Sequence, residues 1–164
     1  MSKIDELFSE MILYYQGDPQ RIQHFVKVFC FAQLIGRCER LDDHTQLTLE
    51  SAALVHDIGI KSAEEKYGYN NGKLQEIEGP APAKELLEKL DFSKDITERV
   101  CYLVGHHHTY ANVDGIDYQI LLEADFLVNM YEDNLSHEAI NIALEKVFKT
   151  SKGIEICKTM YHNK

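Results

Sequence analysis

The sequence predicts an all-α fold, a bundle of about seven or eight helices. Three observations carry this. Apolar residues recur at three- and four-residue spacing through most of the chain. No segment shows the sustained alternation of a strand, and no repeat or low-complexity stretch interrupts the pattern. The breaks between periodic segments hold helix punctuation: Gly17-Asp18-Pro19, Leu41-Asp42-Asp43, Ser93 and Ser136.

The elements follow in order. Ile4 to Tyr15 reads as a first amphipathic helix, with Ile4, Leu7, Phe8, Met11 and Ile12 on one side. Asp18 suits an N-cap and Pro19 the first helical position of a second helix, which runs to about Glu39. A third runs from about Thr45 to Ile58, where Gly59 lets the chain leave it. Lys61 to Glu78 is the least regular stretch and reads as a loop, placed to act as a lid or as a plain linker. Pro80 to Leu90 and Ser93 to Val104 are the fourth and fifth helices. Tyr110 to Gly115 is a loop, and Asp117 to Glu132 is the sixth helix. Ser136 caps a seventh, and Thr150 to His162 forms a last one. The chain reads as one domain, 1–164, with a core at about 21–131 and C-terminal packing helices at 136–162 that steady the sixth helix.

Composition bounds the function. With 164 residues, 45% of them hydrophobic and 27% charged, the chain can bury a proper core. A net charge of −10 argues against a nucleic acid polymer as partner, since phosphate backbones require clustered Lys and Arg. It does not argue against a small anionic substrate, because a bound metal inverts the local field. Four cysteines, Cys30, Cys38, Cys101 and Cys157, form no CxxC pair; Cys30, Cys101 and Cys157 lie in apolar surroundings and read as reduced, partly buried thiols. The N-terminus lacks the apolar run of a secretory signal and no stretch suits a membrane span. The expectation is a soluble cytoplasmic protein with no membrane partner. Oligomeric state is not readable, although surface tyrosines suit a homodimer contact.

The candidate site rests on intrusions into apolar faces. Leu49, Ala52, Ala53 and His56 follow one helix face, and Asp57 stands about 100° further round. His24 shares a face with Val28, Phe31 and Ile35, and Asp125 with Leu121, Leu122 and Val128. Each alone reads readily as a satisfied core residue. Three helices that each aim an ionisable group inward favour a shared cation, because a buried carboxylate is costly unless it is paired or coordinates a metal. Two imidazoles and two carboxylates suit Mn²⁺, Fe²⁺, Co²⁺ or Zn²⁺ better than Ca²⁺.

His24, then His56-Asp57, then Asp125 resembles the H…HD…D signature of the HD-domain superfamily, over roughly Arg21 to Tyr131. The resemblance is to its small stand-alone bacterial hydrolases, including the branch that cleaves dinucleoside polyphosphates. It implies an HD-domain-like helical bundle whose four residues ligate a divalent metal. It also implies a phosphohydrolase acting on a nucleotide or similar small phosphorylated metabolite through metal-activated water. Members with two metals add histidines, one just before a Gly-Pro step. Here Glu78 stands in that place, before Gly79-Pro80, as a candidate ligand. Another ends the next helix, where His106-His107-His108 stand; His107 is in the best register, with His106 and His108 open. Asp57 would bridge the two metals. Some members carry Lys three positions after the Asp; that position is Ile60 here, with Lys61 next. Lys61 and Lys73 are candidate phosphate contacts, and Glu64 (or Glu65) a candidate general base. Tyr67, Tyr69 and Tyr110 would stack on a base or simply pack. Two other readings keep the scaffold: a nucleotide- or metabolite-binding sensor without turnover, and an oxygen-dependent di-iron enzyme, which Glu78 disfavours.

Overall fold

A computed structural model describes residues 1–162. Among these the chain is all-α, without strands. Its helices are α1 (Lys3–Tyr14), α2 (Pro19–Cys38), α3 (Asp43–Val55), α4 (Gly59–Tyr67) and α5 (Gly72–Glu78). They continue with α6 (Pro80–Lys89), α7 (Lys94–Val104), α8 (Ile116–Glu132), α9 (His137–Lys146) and α10 (Ser151–Tyr161).

Local chemistry sets the boundaries. Ser2 and Asp5 form a capping box on α1. Asp18 accepts from the Arg21 amide at 3.1 Å, ahead of Pro19. Asp42 accepts from the amides of His44 and Thr45, and Asn71 from that of Leu74. Ser136 and Thr150 cap α9 and α10 in the same way.

Two helices beyond the expected eight arise in one place. The stretch from Lys61 to Glu78, expected to be a loop, folds as the hairpin α4–α5. Gly68, at φ +80°, ends α4 in the left-handed conformation, and Asn71 restarts the chain. The expected third helix also divides: α3 ends at Val55, and a short turn at 56–58 leads into α4. Gly59 therefore begins a helix rather than releasing one. Its lack of a side chain serves close approach, since a Cβ there would stand 2.6 Å from the Gln75 carbonyl oxygen and 2.7 Å from the Gly79 nitrogen.

Two helices are interior. From Thr48 to Val55 every residue of α3 is buried, and α8 is buried over most of its circumference. α2 packs along both. The two inner helices thus carry His56-Asp57 and Asp125 into the centre of one apolar cluster. The buried Glu123 carboxylate ties the C-terminal helices to α8. It accepts from the backbone amides of Lys149 (2.7 Å) and Thr150 (2.9 Å), from Gln119 Nε2 (2.7 Å) and from the Thr150 hydroxyl. Arg99 on α7 binds Asp114 and Asp117 and so fixes the loop that follows the triple histidine. All four cysteines are free; Cys157 is buried, but Cys30 and Cys38 are exposed, so the Cys30 surroundings are not the apolar ones its neighbours in sequence suggest. Among the described residues no helix is long and apolar enough to cross a membrane.

Candidate metal centre

The turn at 56–58 is held from α1: Tyr15 donates its hydroxyl to the Asp57 carbonyl at 2.7 Å and Tyr14 to that of Ile58 at 3.2 Å. Asp57 is the hub of the site. Its Oδ2 lies 3.2 Å from His24 Nε2 and 3.4 Å from His56 Nε2, while its Oδ1 lies 3.3 Å from His107 Nε2. Asp125 Oδ1 closes the first side, 3.3 Å from His24 Nε2 and 3.6 Å from His56 Nε2, and accepts from Asn129 Nδ2 at 2.9 Å. Two groups of ligand atoms result, one of His24, His56 and Asp57 and one of Asp57, His107 and His108.

The far nitrogen of each ring is already committed. His56 Nδ1 donates to the Ala53 carbonyl and His107 Nδ1 to that of Val104, each at 2.8 Å. His24 Nδ1 donates to Glu132 Oε2, also at 2.8 Å, and Lys27 holds the other oxygen of that carboxylate at 2.6 Å. A carbonyl can only accept, so Nδ1 carries a proton in both rings, and whenever either ring is neutral its bare Nε2 lone pair faces inward. His24 Nε2 and His56 Nε2 stand 3.1 Å apart. His107 Nε2 is wholly buried and has no hydrogen-bond partner. Lone pairs and carboxylates converging in a buried space repel unless positive charge lies among them. The donor set therefore fits a divalent cation, and the outer hydrogen bonds are those that orient metal-binding histidines.

The titration directions follow from the same contacts. Burial works against the charged rings of His24 and His56, but the carboxylates of Asp125 and Asp57 overcome it, so His24 is raised and His56 raised well above the usual histidine value. Burial likewise opposes ionisation of Asp57 and Asp125, yet the neighbouring imidazoles hold both below the usual carboxylate range. Burial, reinforced by His107, pushes His108 down to about 4.

A model of the HD domain family matches residues 21–146. The chain belongs to the HD domain family. Family and cluster together are those of a metal-dependent hydrolase, and HD domains hold divalent metals at such His/Asp clusters. A crystal structure described as a predicted HD superfamily hydrolase, from an uncultured Thermotogales bacterium, is similar in fold. It is 23% identical, with 96% of this chain and 84% of that one covered, at a TM-score of 0.68. A comparison with curated proteins gave no match.

The structure brings His24, His56, Asp57, Asp125 and His107 together, with His108 beside them. His106 turns away, stacked on Tyr102 and bonded to its carbonyl. Glu78 belongs to neither ligand group; its Oε1 is bound by Lys66 Nζ and the Tyr67 hydroxyl, each at 2.9 Å. The reason is local: the α4–α5 hairpin lays Lys66 and Tyr67 against the end of α5. Glu64 Oε1 is taken by Arg21 at 2.6 Å and Asn70 at 2.7 Å. Lys61 Nζ sits 5.0 Å above the Tyr14 ring, and Lys73 is exposed in the first turn of α5. Sequence reasoning missed Glu132, Asn129 and Gln75. Asn129 follows Asp125 by one helical turn, a spacing visible in the sequence; Glu132 and Gln75 gave no such signal.

Proposed function

We propose that this protein is a metal-dependent phosphohydrolase that cleaves a phosphate ester or anhydride of a nucleotide or similar small phosphorylated metabolite. The observation that carries the reading is Asp57, whose two oxygens face two separate sets of imidazole nitrogens. His24, His56, Asp57 and Asp125 would hold one divalent transition metal (Mn, Fe, Co or Zn), and Asp57, His107 and His108 a second. Such metals supply Lewis acidity and a water of lowered pKa. The chain's own residues do the rest. The Ala53 and Val104 carbonyls and Glu132 keep the ring protons on the outer nitrogens, so the inner ones stay free to coordinate. Asp57 and Asp125 bring negative charge that balances the cations and leaves room for an anionic phosphoryl group.

Tyr110 stands on the rim, half exposed and packed edge-on against Phe126. Burial, together with Asp125 and Glu76, pushes its hydroxyl up to about 12. It therefore stays protonated, able to donate to a phosphoryl oxygen or to present its ring to a base. We assign Glu64 no proton transfer, because its Oε1 already accepts from Arg21 and Asn70. Lys61 and Lys73 remain exposed cations that would meet the distal part of a phosphorylated substrate. We propose the cytoplasm as its location and, from the net charge of −10, no nucleic acid polymer as its partner.

The test is metal content of the purified protein and of Asp57→Ala, followed by a phosphatase screen over nucleotides and dinucleoside polyphosphates with each candidate metal. Transition metal present in the parent, lost from the variant, and phosphate release that depends on it support the reading. Tight nucleotide binding without any product, metal present, would replace it with the sensor.

A further inference from the structure

We infer that Gln75 is a positioning residue that fixes the tautomer of His108 and so leaves Nδ1 as the nitrogen that His108 can offer to the Asp57–His107 group. The argument is a chain of hydrogen bonds whose direction is set at one end. Glu64 is ion-paired with Arg21 at 2.6 Å, and a carboxylate so paired only accepts. The group that Asn70 turns to Glu64 at 2.7 Å must then be its Nδ2 amide nitrogen, so Asn70 Oδ1 points the other way. Oδ1 accepts from Gln75 Nε2 at 2.8 Å, which turns Gln75 Oε1 toward His108. Gln75 Oε1 and His108 Nε2 lie 2.6 Å apart, and an amide oxygen only accepts, so Nε2 carries the proton. In a neutral ring the lone pair is then on Nδ1.

The polarity of three successive groups thus follows from one carboxylate. His56 and His107 are fixed by backbone carbonyls with the proton on Nδ1; His108 is fixed by a side chain with the proton on Nε2. The residues that set it lie on α2 and the α4–α5 hairpin, so the ring follows the position of that hairpin. Gly72 adds a steric constraint, since a Cβ there would meet the His108 ring at 2.8 Å. The His108 amide and the Thr109 hydroxyl both bond Glu76 Oε1 at 2.9 Å, which holds the backbone of that ring to the same hairpin.

The consequence for metal binding rests on the proposed function; the tautomer itself does not. The experiment reads both. Nitrogen-15 shifts of the His108 ring, in metal-free protein near neutral pH, report the tautomer directly. A Zn²⁺ titration then reports each metal equivalent. Expected are a protonated Nε2 in the parent, retained in Gln75→Glu, which keeps an acceptor. Both tautomers appear in Gln75→Leu and in Asn70→Ala, the second freeing the amide of Gln75 to turn without altering α5. In Gln75→Leu the weaker Zn²⁺ equivalent loses about 10–100-fold in affinity while the tighter one holds. A proton on Nδ1 in the parent, or an unchanged tautomer in both Gln75→Leu and Asn70→Ala, overturns the inference. Failure of the parent to take up any Zn²⁺, with the tautomer still following Gln75, removes the metal reading and leaves the positioning role standing.

Discussion

His24 Nε2 and His56 Nε2 lie 3.1 Å apart although the other nitrogen of each ring is already spent as a donor. Two bare nitrogens at that distance repel, so the pair must share either a proton or a metal. The two solutions have opposite pH dependence. In metal-free protein His24 and His56 are raised above the ordinary value of about 6.5. Their stabilisation is fully present below that value and fades as pH rises through the folded values. His108 acts the other way. With its folded value at about 4, the unfolded chain binds the proton first, so stability falls as pH drops from about 6.5 toward 4. Metal-free protein should therefore melt highest near pH 6.5 and less on either side. Metal-loaded protein should gain steadily up to that pH and hold beyond it, because protons compete with the metal for the same nitrogens. Melting curves with chelator and with Zn²⁺ across about pH 5 to 9 decide this; two parallel profiles would show that the cluster holds no metal.

Asp57 faces both ligand groups, whereas His108 faces one. Asp57→Asn should remove or weaken both metal equivalents and reduce turnover by more than about 100-fold. His108→Ala should weaken one equivalent and leave the other within a factor of a few. Plasma mass spectrometry of the two variants beside the parent separates the outcomes, and equal loss in both would show that the groups are not two sites.

Glu132 was not visible in the sequence, yet it orients His24. Its Oε2 accepts from His24 Nδ1 at 2.8 Å while Lys27 steadies the other oxygen at 2.6 Å. Its side chain is 23% exposed, so Glu132→Ala should fold without difficulty. The variant loses the group that keeps the His24 proton outward, and the tighter metal equivalent should weaken about 10–100-fold. Lys27→Met, one contact further out, should change it less. A competition titration against a zinc chelator measures both, and an unchanged affinity in Glu132→Ala would remove the orienting role.

What could be read in the sequence follows from where the physics is local. His24, His56 and Asp125 break apolar stripes of three-and-four spacing, and such a break needs no tertiary information. The caps at Asp18 and Ser136 are equally local. The α4–α5 hairpin was missed because Lys61–Glu78 holds few apolar residues and several Gly and Asn; its helices are short and stabilised by their neighbours rather than by propensity. His108 stood in the sequence only as one of three adjacent candidates; its hydrogen bond to Gln75 and that of His24 to Glu132 join residues 33 and 108 positions apart. No spacing rule reaches that far. Glu78 sits one helical turn after Gln75, so the sequence position was close while the side chain went to Lys66 and Tyr67.

Gly59 and Gly68 bracket α4 and separate two effects of adding a methyl group. At Gly68 the backbone is left-handed, φ +80°, and nothing lies within 4 Å of a Cβ. Gly68→Ala should cost about 1–2 kcal/mol of conformational strain and nothing else. At Gly59 a Cβ would lie 2.6 Å from the Gln75 carbonyl oxygen and 2.7 Å from the Gly79 nitrogen, both backbone atoms that cannot rotate aside. Gly59→Ala must therefore push α5 away from the turn that carries Asp57, at about 1–3 kcal/mol. Because α5 carries Gln75, the displacement should also loosen His108. Thermal melts and the Zn²⁺ titration read the two effects separately. The expected pattern is a lower melting temperature in both variants, but a weakened second metal equivalent only in Gly59→Ala. Loss of that equivalent in Gly68→Ala as well would mean that α4 as a whole, rather than the contact of Gly59 with α5, sets the position of the ring.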